Sequence, residues 1–253
     1  MKTKLKIIVL YILSLLGSNS YAAFESSYYS ALPVSISQPE FRVLNINFNH
    51  SRLYNLNYLN NSGFSIYWIP NYHEFAGKFS LTGDSIYQEQ FFKFIAGKPV
   101  TADHSIFAGI NFNALYIKNY GSAKLYSGDI GFRFNLKNDL WLLVWFGNLL
   151  KDNSSSIIND MPQILVLDTK YLINKKLVVS YSFQSNEDKP ISNEFSWKYY
   201  PIHFFGLSVG YNTGSGEINT IFEVGKKFLI GKCKINIHPD LGLWYDSTIS
   251  LSF

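Results

Sequence analysis

Apolar and polar side chains alternate residue by residue along most of this chain, and no other feature constrains its fold as strongly. In residues 241–253 the odd positions carry mainly leucine, isoleucine, tyrosine and phenylalanine, whereas the even positions carry mainly glycine, serine, threonine and aspartate. Residues 44–49, 126–135, 177–184 and 194–199 repeat this pattern. A period of two residues is typical of a β-strand with one apolar and one polar face. The sequence therefore predicts an all-β fold.

About fourteen segments show this alternation, and turn-forming residues separate them. After residue 41 the chain has no long amphipathic helical pattern and no linker, so we expect a single domain over residues 41–253. The predicted strands are 41–50, 63–70, 72–82, 85–98, 104–118, 123–136, 139–148, 163–173, 176–185, 192–200, 203–212, 217–229, 232–238 and 241–253.

The alternation fits either a soluble sandwich or a membrane barrel, and three features favour the barrel. Segments such as 104–118 and 123–136 exceed ordinary soluble strands in length and suit a tilted membrane span. Aromatic residues make up 17% of the chain and cluster near strand ends, as the girdles of a membrane barrel require. Short and long connections mostly alternate. We therefore predict a closed antiparallel transmembrane β-barrel of about 14 strands, within a range of roughly 12–16.

The first 22 residues have the composition of a secretory signal peptide. Lys2, Lys4 and Lys6 precede an apolar run over 7–16, and small residues precede a cleavage site near Ala22. Without this segment the 22 basic residues fall by three to 19, against 18 acidic ones. A nearly neutral mature chain does not have the basic footprint of a nucleic-acid-binding protein. We expect export to the cell outer membrane and no nucleic acid partner.

The sequence offers little that points to catalysis. The lone Cys233 cannot form an intramolecular disulfide, and its alternation with neighbouring isoleucines places it on the lipid-facing side. No metal-ligand spacing and no nucleophile motif is present, so we expect no metal, no cofactor and no enzyme activity. A lipid-modifying enzyme would need a serine–histidine contact on the lipid-facing wall. The histidines lie scattered near strand ends, where turn or membrane-interface positions are expected: His50, His73, His104, His203 and His238.

If the apolar face of each strand meets lipid, the opposite face places charged side chains inside the barrel. Acids and bases are nearly balanced there, which argues against a strongly ion-selective pore. The simplest expectation is that these side chains form ion pairs between adjacent strands, with the acids at one level of the barrel and the bases at another. The alternative is that they form a polar tier that binds the head group of a ligand. The residues of this polar tier are Glu89, Lys93, Asp129, Arg133, Glu194, Lys198, Glu223 and Lys227.

Six short segments, taken in chain order, match a pattern found in a known family of membrane proteins. They are YQEQ (87–90), AGKPV (96–100), FAGINF (107–112), YGSAKLYSGDIGFRF (120–134), FGNLL (146–150) and HPDLGLWYDSTISLSF (238–253). Together they resemble the FadL superfamily of outer-membrane β-barrels, and in particular its PorV/PorQ-like branch. Asp129, Gly131, Gly147 and Asn148 carry the resemblance.

This resemblance implies uptake or passage of a small hydrophobic molecule, with residues 23–40 as a short plug. It also implies an alternative, a non-transporting barrel that binds a secreted or surface-assembly protein, as PorV-type relatives do in type IX secretion. The terminal Phe253 resembles the aromatic assembly signal that the barrel insertion machinery reads. The expected partners are outer-membrane lipid, this machinery, and either a hydrophobic small molecule or a secreted protein.

Overall fold

The computed structural model of this chain describes its barrel but not its N-terminal region. The described residues are 44–52, 60–70, 73–119, 121–137, 139–152, 162–174, 176–186, 189–202, 204–226 and 228–253. The predicted signal peptide (1–22), the predicted N-terminal plug (23–40) and Lys227 lie outside the described residues.

Fourteen antiparallel strands form one closed barrel, in which each strand pairs with its sequence neighbours and β1 pairs with β14. This confirms the predicted fold and strand number. The strands are β1 (Leu44–Arg52), β2 (Asn60–Trp68), β3 (Glu74–Gly83), β4 (Tyr87–Pro99), β5 (His104–Ile117), β6 (Gly121–Lys137), β7 (Leu140–Asp152), β8 (Ile164–Asn174), β9 (Leu177–Asn186), β10 (Lys189–Ile202), β11 (Phe205–Asn212), β12 (Ile218–Lys226), β13 (Leu229–His238) and β14 (Gly242–Ser252).

One predicted turn is misplaced. The sequence places the β12–β13 turn near Gly231, but β12 ends at Lys226 and β13 begins at Leu229. Gly231 pairs with Val224 inside the ladder. A glycine often marks a turn, yet it is also tolerated where a strand passes close to its partner. The prediction is therefore wrong by a few residues here, and Lys227 lies outside the described residues.

The seam between β1 and β14 closes the wall through main-chain hydrogen bonds at the extreme ends of the barrel. Leu44 N–H donates to the Phe253 carbonyl over 3.1 Å, and Phe253 N–H donates to the Leu44 carbonyl over 2.8 Å. Beside them, Asn45 Nδ2 donates to Ser252 Oγ over 2.8 Å. Both ends of the barrel chain therefore lie at the same rim, which we call the terminal rim. The other rim is called the distal rim.

The longest connections lie at the distal rim, although several distal turns are as short as those of the terminal rim. The distal rim carries the segments 53–59, 153–163 and 213–217 together with several tight turns. At the terminal rim, four of the connections contain only two residues: 138–139, 175–176, 203–204 and 227–228.

Side chains on each strand alternate between an outward apolar face and an inward, mostly polar face. On β5, Ile106 and Ile110 are 41% and 61% exposed on the outside, whereas Asn111, the residue after Ile110, is 6% exposed on the inside. The outward face of other strands is likewise rich in phenylalanine, isoleucine, tryptophan and tyrosine. Within the described residues no helix is long and apolar enough to cross a bilayer.

Candidate functional site in the barrel interior

An apolar cluster fills part of the interior near the terminal rim. Its members come from strands β2 to β7 and are nearly inaccessible to solvent although they point into the barrel: Tyr67, Ala76, Ile95, Phe107, Leu143 and Trp145. Ile69 and Val166 pack against this cluster. We call this part of the interior, from β2 to β8, the packed side. These side chains are closely packed, so the packed side is filled by apolar groups near the terminal rim.

Two glycines make the packed side possible. The ring of Phe107 on β5 lies over Gly97 on β4, and the ring of Trp145 on β7 lies over Gly131 on β6. A Cβ atom at either glycine would overlap the ring on the neighbouring strand. The glycines therefore let two large aromatic side chains lie flat against the inner wall.

A buried ion pair between Glu74 and Arg133 extends across the packed side. Arg133 Nη1 donates to Glu74 Oε2 over 2.9 Å, and Nη2 bonds the other carboxylate oxygen, so the pair is bidentate. Tyr67 O–H donates to Glu74 Oε2 over 2.6 Å, and Arg133 Nη2 also donates to Ser105 Oγ over 3.1 Å. Both charged side chains are 8% exposed. Because Glu74 is on β3 and Arg133 on β6, the contact connects strands that are not neighbours in the wall.

A second buried ion pair joins Lys93 on β4 to Asp129 on β6. Lys93 Nζ lies 2.6 Å from Asp129 Oδ2, and the side chains are 6% and 1% exposed. Asn111, on the strand between them, donates from Nδ2 to Asp129 Oδ1 over 2.7 Å and to Ser127 Oγ over 2.9 Å. The Asp129 carboxylate is thus held by several donors, as a buried charge requires.

Asp129 also stabilises a bulge between β6 and β7 in the barrel wall. The β6–β7 register shifts here, because Gly128 pairs with Leu150 while Ile130 pairs with Phe146. Asn148, in the resulting bulge, has a φ of 58°, which few residues other than glycine adopt. Its N–H donates to Asp129 Oδ1 over 2.9 Å, and Ser127 O–H donates to Asn148 Oδ1 over 2.7 Å. These bonds satisfy the polar groups that the bulge removes from the ladder.

The charged residues on β10, β12 and β13 lie in a wetter environment than those of the packed side. We call the inward face of β9, β10, β12 and β13 the accessible side. Lys198 Nζ is 2.8 Å from Glu223 Oε2, and Lys232 Nζ is 3.6 Å from the same atom. The three side chains are 21%, 12% and 34% exposed, respectively. Lys198 also lies over the ring of Tyr200, 4.7 Å from its centroid. Partial exposure on an inward face means that water reaches this part of the interior.

The two remaining described acids of the predicted polar tier have uncharged partners. Glu194 Oε1 accepts a hydrogen bond from Asn219 Nδ2 over 3.1 Å, and Glu89 accepts one from the Tyr87 hydroxyl. Seven of the eight predicted tier residues thus lie on the inward face, and the eighth, Lys227, is outside the described residues.

The predicted pairing geometry needs correction. Acids and bases do not form separate tiers, because Lys93 pairs with Asp129, Arg133 with Glu74, and Lys198 with Glu223. These partners are separated by one or two intervening strands rather than lying on adjacent ones. The long lysine and arginine side chains reach over the small or flat residues of the strands between.

Sequence reasoning misses two residues that matter in this interior. Glu74 is absent from the predicted tier, although its even-numbered position on β3 puts it on the same face as Ala76 and Ser80, which are also buried. That parity is the signal that could have revealed it. Asn148 belongs to the family resemblance, but its role at a bulge depends on a register shift that alternation cannot reveal.

The outward face carries one contact that the sequence does not predict. His50 Nδ1 on β1 lies 2.8 Å from Ser62 Oγ on β2, and both side chains are exposed on the outside of the barrel. Cys233 is also exposed and faces outward. Among the described residues no group of three or more histidine, cysteine, aspartate or glutamate side chains is arranged to hold a metal ion.

The fold is similar to that of solved outer-membrane channels. It matches a monoaromatic hydrocarbon channel, CymD, with a TM-score of 0.58 at 9% identity, covering 83% of this chain and 87% of that one. It matches the Pseudomonas putida toluene transporter TodX with a TM-score of 0.52 at 9% identity, over 83% and 87% of the two chains. The KdgM porin gives a TM-score of 0.50 at 10% identity, over 83% of this chain and 99% of KdgM.

No family model matches the sequence, and no curated protein matches it. The likeness is therefore one of fold. The solved neighbours are described as channels, a transporter and a porin, and what they share with this chain is the fold. The chain has the closed antiparallel β-barrel fold of outer-membrane channels.

Proposed function

We propose that this barrel lets a small hydrophobic molecule pass through the outer membrane along the accessible side of its interior. The observation that carries the proposal is the unequal lining of the interior. The packed side is closed by apolar side chains near the terminal rim, whereas inward side chains of β9 and β10, among them Val178, Ser180 and Lys198, remain partly exposed. Solute movement therefore has to follow the second group of strands.

The lining of this route suits a partly apolar solute. The inward face of β9 carries Val178 beside the hydroxyl groups of Ser180 and Ser182, and all three are partly exposed. Apolar groups give a hydrophobic solute a surface to contact. Small hydroxyl-bearing side chains leave space along the route and do not bind such a solute tightly. The charged residues nearby are largely neutralised by one another, so they do not impose a strong ion selectivity.

The structural neighbours include two kinds of channel. CymD and TodX are described as a monoaromatic hydrocarbon channel and a toluene transporter, and KdgM is also known in complex with disordered oligogalacturonate. The resemblance of the sequence to the FadL superfamily favours the first kind, so a hydrophobic solute is the substrate class that we propose.

A tryptophan placed on the inner or the outer face of one strand tests this route. Ser180→Trp puts a large ring into the accessible side, whereas Val179→Trp puts the same ring on the outward face of the same strand. Purified protein in vesicles should speed the entry of toluene, and Ser180→Trp should reduce that gain several-fold while Val179→Trp leaves it unchanged. Entry no faster than in protein-free vesicles, or equal entry through both variants, would count against the proposal.

The alternative function, a PorV/PorQ-like barrel that binds a secreted protein, needs a large surface outside the membrane. The distal connections 84–86 and 239–241 are tight turns that offer little such surface, whereas most of the longer segments 53–59 and 153–163 lie outside the described residues. Specific co-purification of one exported protein, with no solute entry into vesicles, would favour this alternative over passage.

Export through a cleaved signal peptide belongs to the same proposal. Residues 1–22 should be absent from the membrane-inserted protein, whose N-terminus should be Ala23. Terminal sequencing of protein from purified outer membranes checks this, and an intact Met1 would contradict it.

A further inference from the structure

One row of the outward face carries reactive side chains on four neighbouring strands. Ser62 on β2 pairs with His50 on β1, His50 pairs with Ser247 on β14, and Ser247 pairs with Cys233 on β13. All four side chains are exposed. Elsewhere the outward face is mainly apolar, so a row of hydroxyl, imidazole and thiol groups is costly there unless water or lipid head groups reach it.

The position of this row on β1 and β2 is defined by its neighbours. The next outward row toward the terminal rim pairs Phe48 with Phe64, and both rings are about half exposed. The next row toward the distal rim pairs Arg52 with Asn60, where the two strands end. His50 and Ser62 therefore lie at the boundary between an apolar band and a polar rim. In a bilayer, this is the level at which the ester groups of lipids join acyl chains to head groups.

The contact itself has the geometry of a nucleophile and its base. The 2.8 Å between His50 Nδ1 and Ser62 Oγ is a hydrogen-bond distance, and with the imidazole protonated on Nε2, Nδ1 accepts the serine proton.

We propose that Ser62 and His50 form a hydrolytic site for the carboxylic acyl esters of membrane lipids, with Ser62 as nucleophile and His50 as general base. The outward orientation gives the site direct access to lipid from the bilayer. Arg52, one row toward the distal rim, places a positive charge at the level of an anionic head group.

The reaction balances with water as the only co-substrate. Ser62 Oγ attacks the ester carbonyl carbon while its proton passes to His50 Nδ1, and collapse of the tetrahedral intermediate releases the alcohol, which takes that proton. The acyl group is then bonded to Ser62 Oγ. Water attacks this second ester and gives its proton to His50, and the fatty acid leaves as Ser62 regains the proton.

The test uses the purified full chain in mixed micelles of detergent and phosphatidylcholine with a labelled acyl chain. We expect release of labelled fatty acid, loss of that release in Ser62→Ala, and a fall of about 100-fold or more in His50→Gln. Thr220→Ala removes an outward hydroxyl from β12, outside this row, and should leave the rate unchanged. A heat-dependent shift on gel electrophoresis confirms that each variant forms the barrel.

A fluorophosphonate probe gives an independent readout, because it bonds covalently to an activated serine. Peptide mass spectrometry should find the adduct on Ser62 in the unmodified protein and much less of it in His50→Gln. Fatty acid release that persists in Ser62→Ala overturns the proposal. So does the absence of both release and adduct in a correctly folded unmodified protein.

Discussion

The packed side and the accessible side of the interior both contain ion pairs, but the surroundings of these pairs differ. Lys93, Asp129, Glu74 and Arg133 on the packed side are at most 8% exposed, whereas Lys232 on the accessible side is 34% exposed. A buried charge that loses its partner is not hydrated by water in compensation, whereas a partly exposed charge is. The comparison suggests that the first set stabilises the barrel and the second set mainly defines the chemistry of the interior.

Asp129→Ala should produce the largest loss of stability. The change leaves Lys93 as an unpaired buried cation and removes the acceptor for the Asn148 N–H in the bulge. Breaking one side of such a pair costs about 3–5 kcal/mol. Urea unfolding of the refolded barrel, followed by tryptophan fluorescence, measures this cost. If Glu223→Ala on the accessible side costs as much, the comparison between the two sides fails.

Gly131→Ala should have the next largest effect. The added methyl group overlaps the Trp145 ring, and overpacking of a close-packed region costs about 1–3 kcal/mol. Gly231→Ala is the matched control, because its Cβ would meet only the Val224 carbonyl oxygen at 3.7 Å. The same urea titration applies to both variants. Equal free energies of unfolding for the two variants would show that the Trp145 ring is not tightly packed against Gly131.

Glu223→Gln on the accessible side should change ion preference more than stability. Lys198 and Lys232 lose a shared counter-charge, but both reach water, so we expect about 1 kcal/mol or less. The interior gains one net positive charge, which should shift the reversal potential in a planar bilayer toward that of an anion-preferring pore. Lys198→Gln should shift it in the opposite direction. Shifts of the same sign would contradict this interpretation.

Asp84→Asn, outside the membrane wall, should have the smallest effect. In the turn after β3, the N–H groups of Ile86 and Tyr87 donate to Asp84 Oδ1 over 2.7 and 3.1 Å and lower the pKa of its carboxyl. A lowered folded pKa stabilises the fold above the ordinary pKa of 3.8, and this stabilisation is lost as pH falls through the folded pKa.

The small stability difference between the unmodified protein and Asp84→Asn should therefore be present at neutral pH and disappear in acid. Urea midpoints measured at pH 7 and near pH 3 check this. A difference that grows in acid would show that the carboxylate is not the stabilising form.

The alternation of apolar and polar residues is sufficient to predict the strands because every strand of a closed membrane barrel has one outward apolar face and one inward, mostly polar face. It also predicts the face of each residue, and Lys93, Asp129 and Arg133 lie on the inward face that it assigns to them. It could not predict their partners. Arg133 reaches Glu74 over two strands, and that reach depends on which intervening side chains are small or flat, a property of three-dimensional packing.

The His50–Ser62 contact was beyond sequence reasoning for a related reason. The two residues belong to adjacent strands joined by residues 53–59, and a shift of one position in the register would have separated them and turned one to the interior. Turn length and conformation determine that register, and neither follows from the composition of this segment. The Gly231 error has a similar origin, since a glycine alone does not distinguish a turn from a strand position.

The seam at Leu44 and Phe253 has a consequence for how such a chain is assembled. Every intermediate before the seam forms is an open sheet with two edges of unpaired N–H and C=O groups, which lipid cannot satisfy. Removing β14 would therefore leave an aggregation-prone sheet rather than a narrower barrel. Insertion and ring closure must be coupled, and the pairing of Asn45 with Ser252 marks the point at which the first strand of the barrel becomes a neighbour of the last.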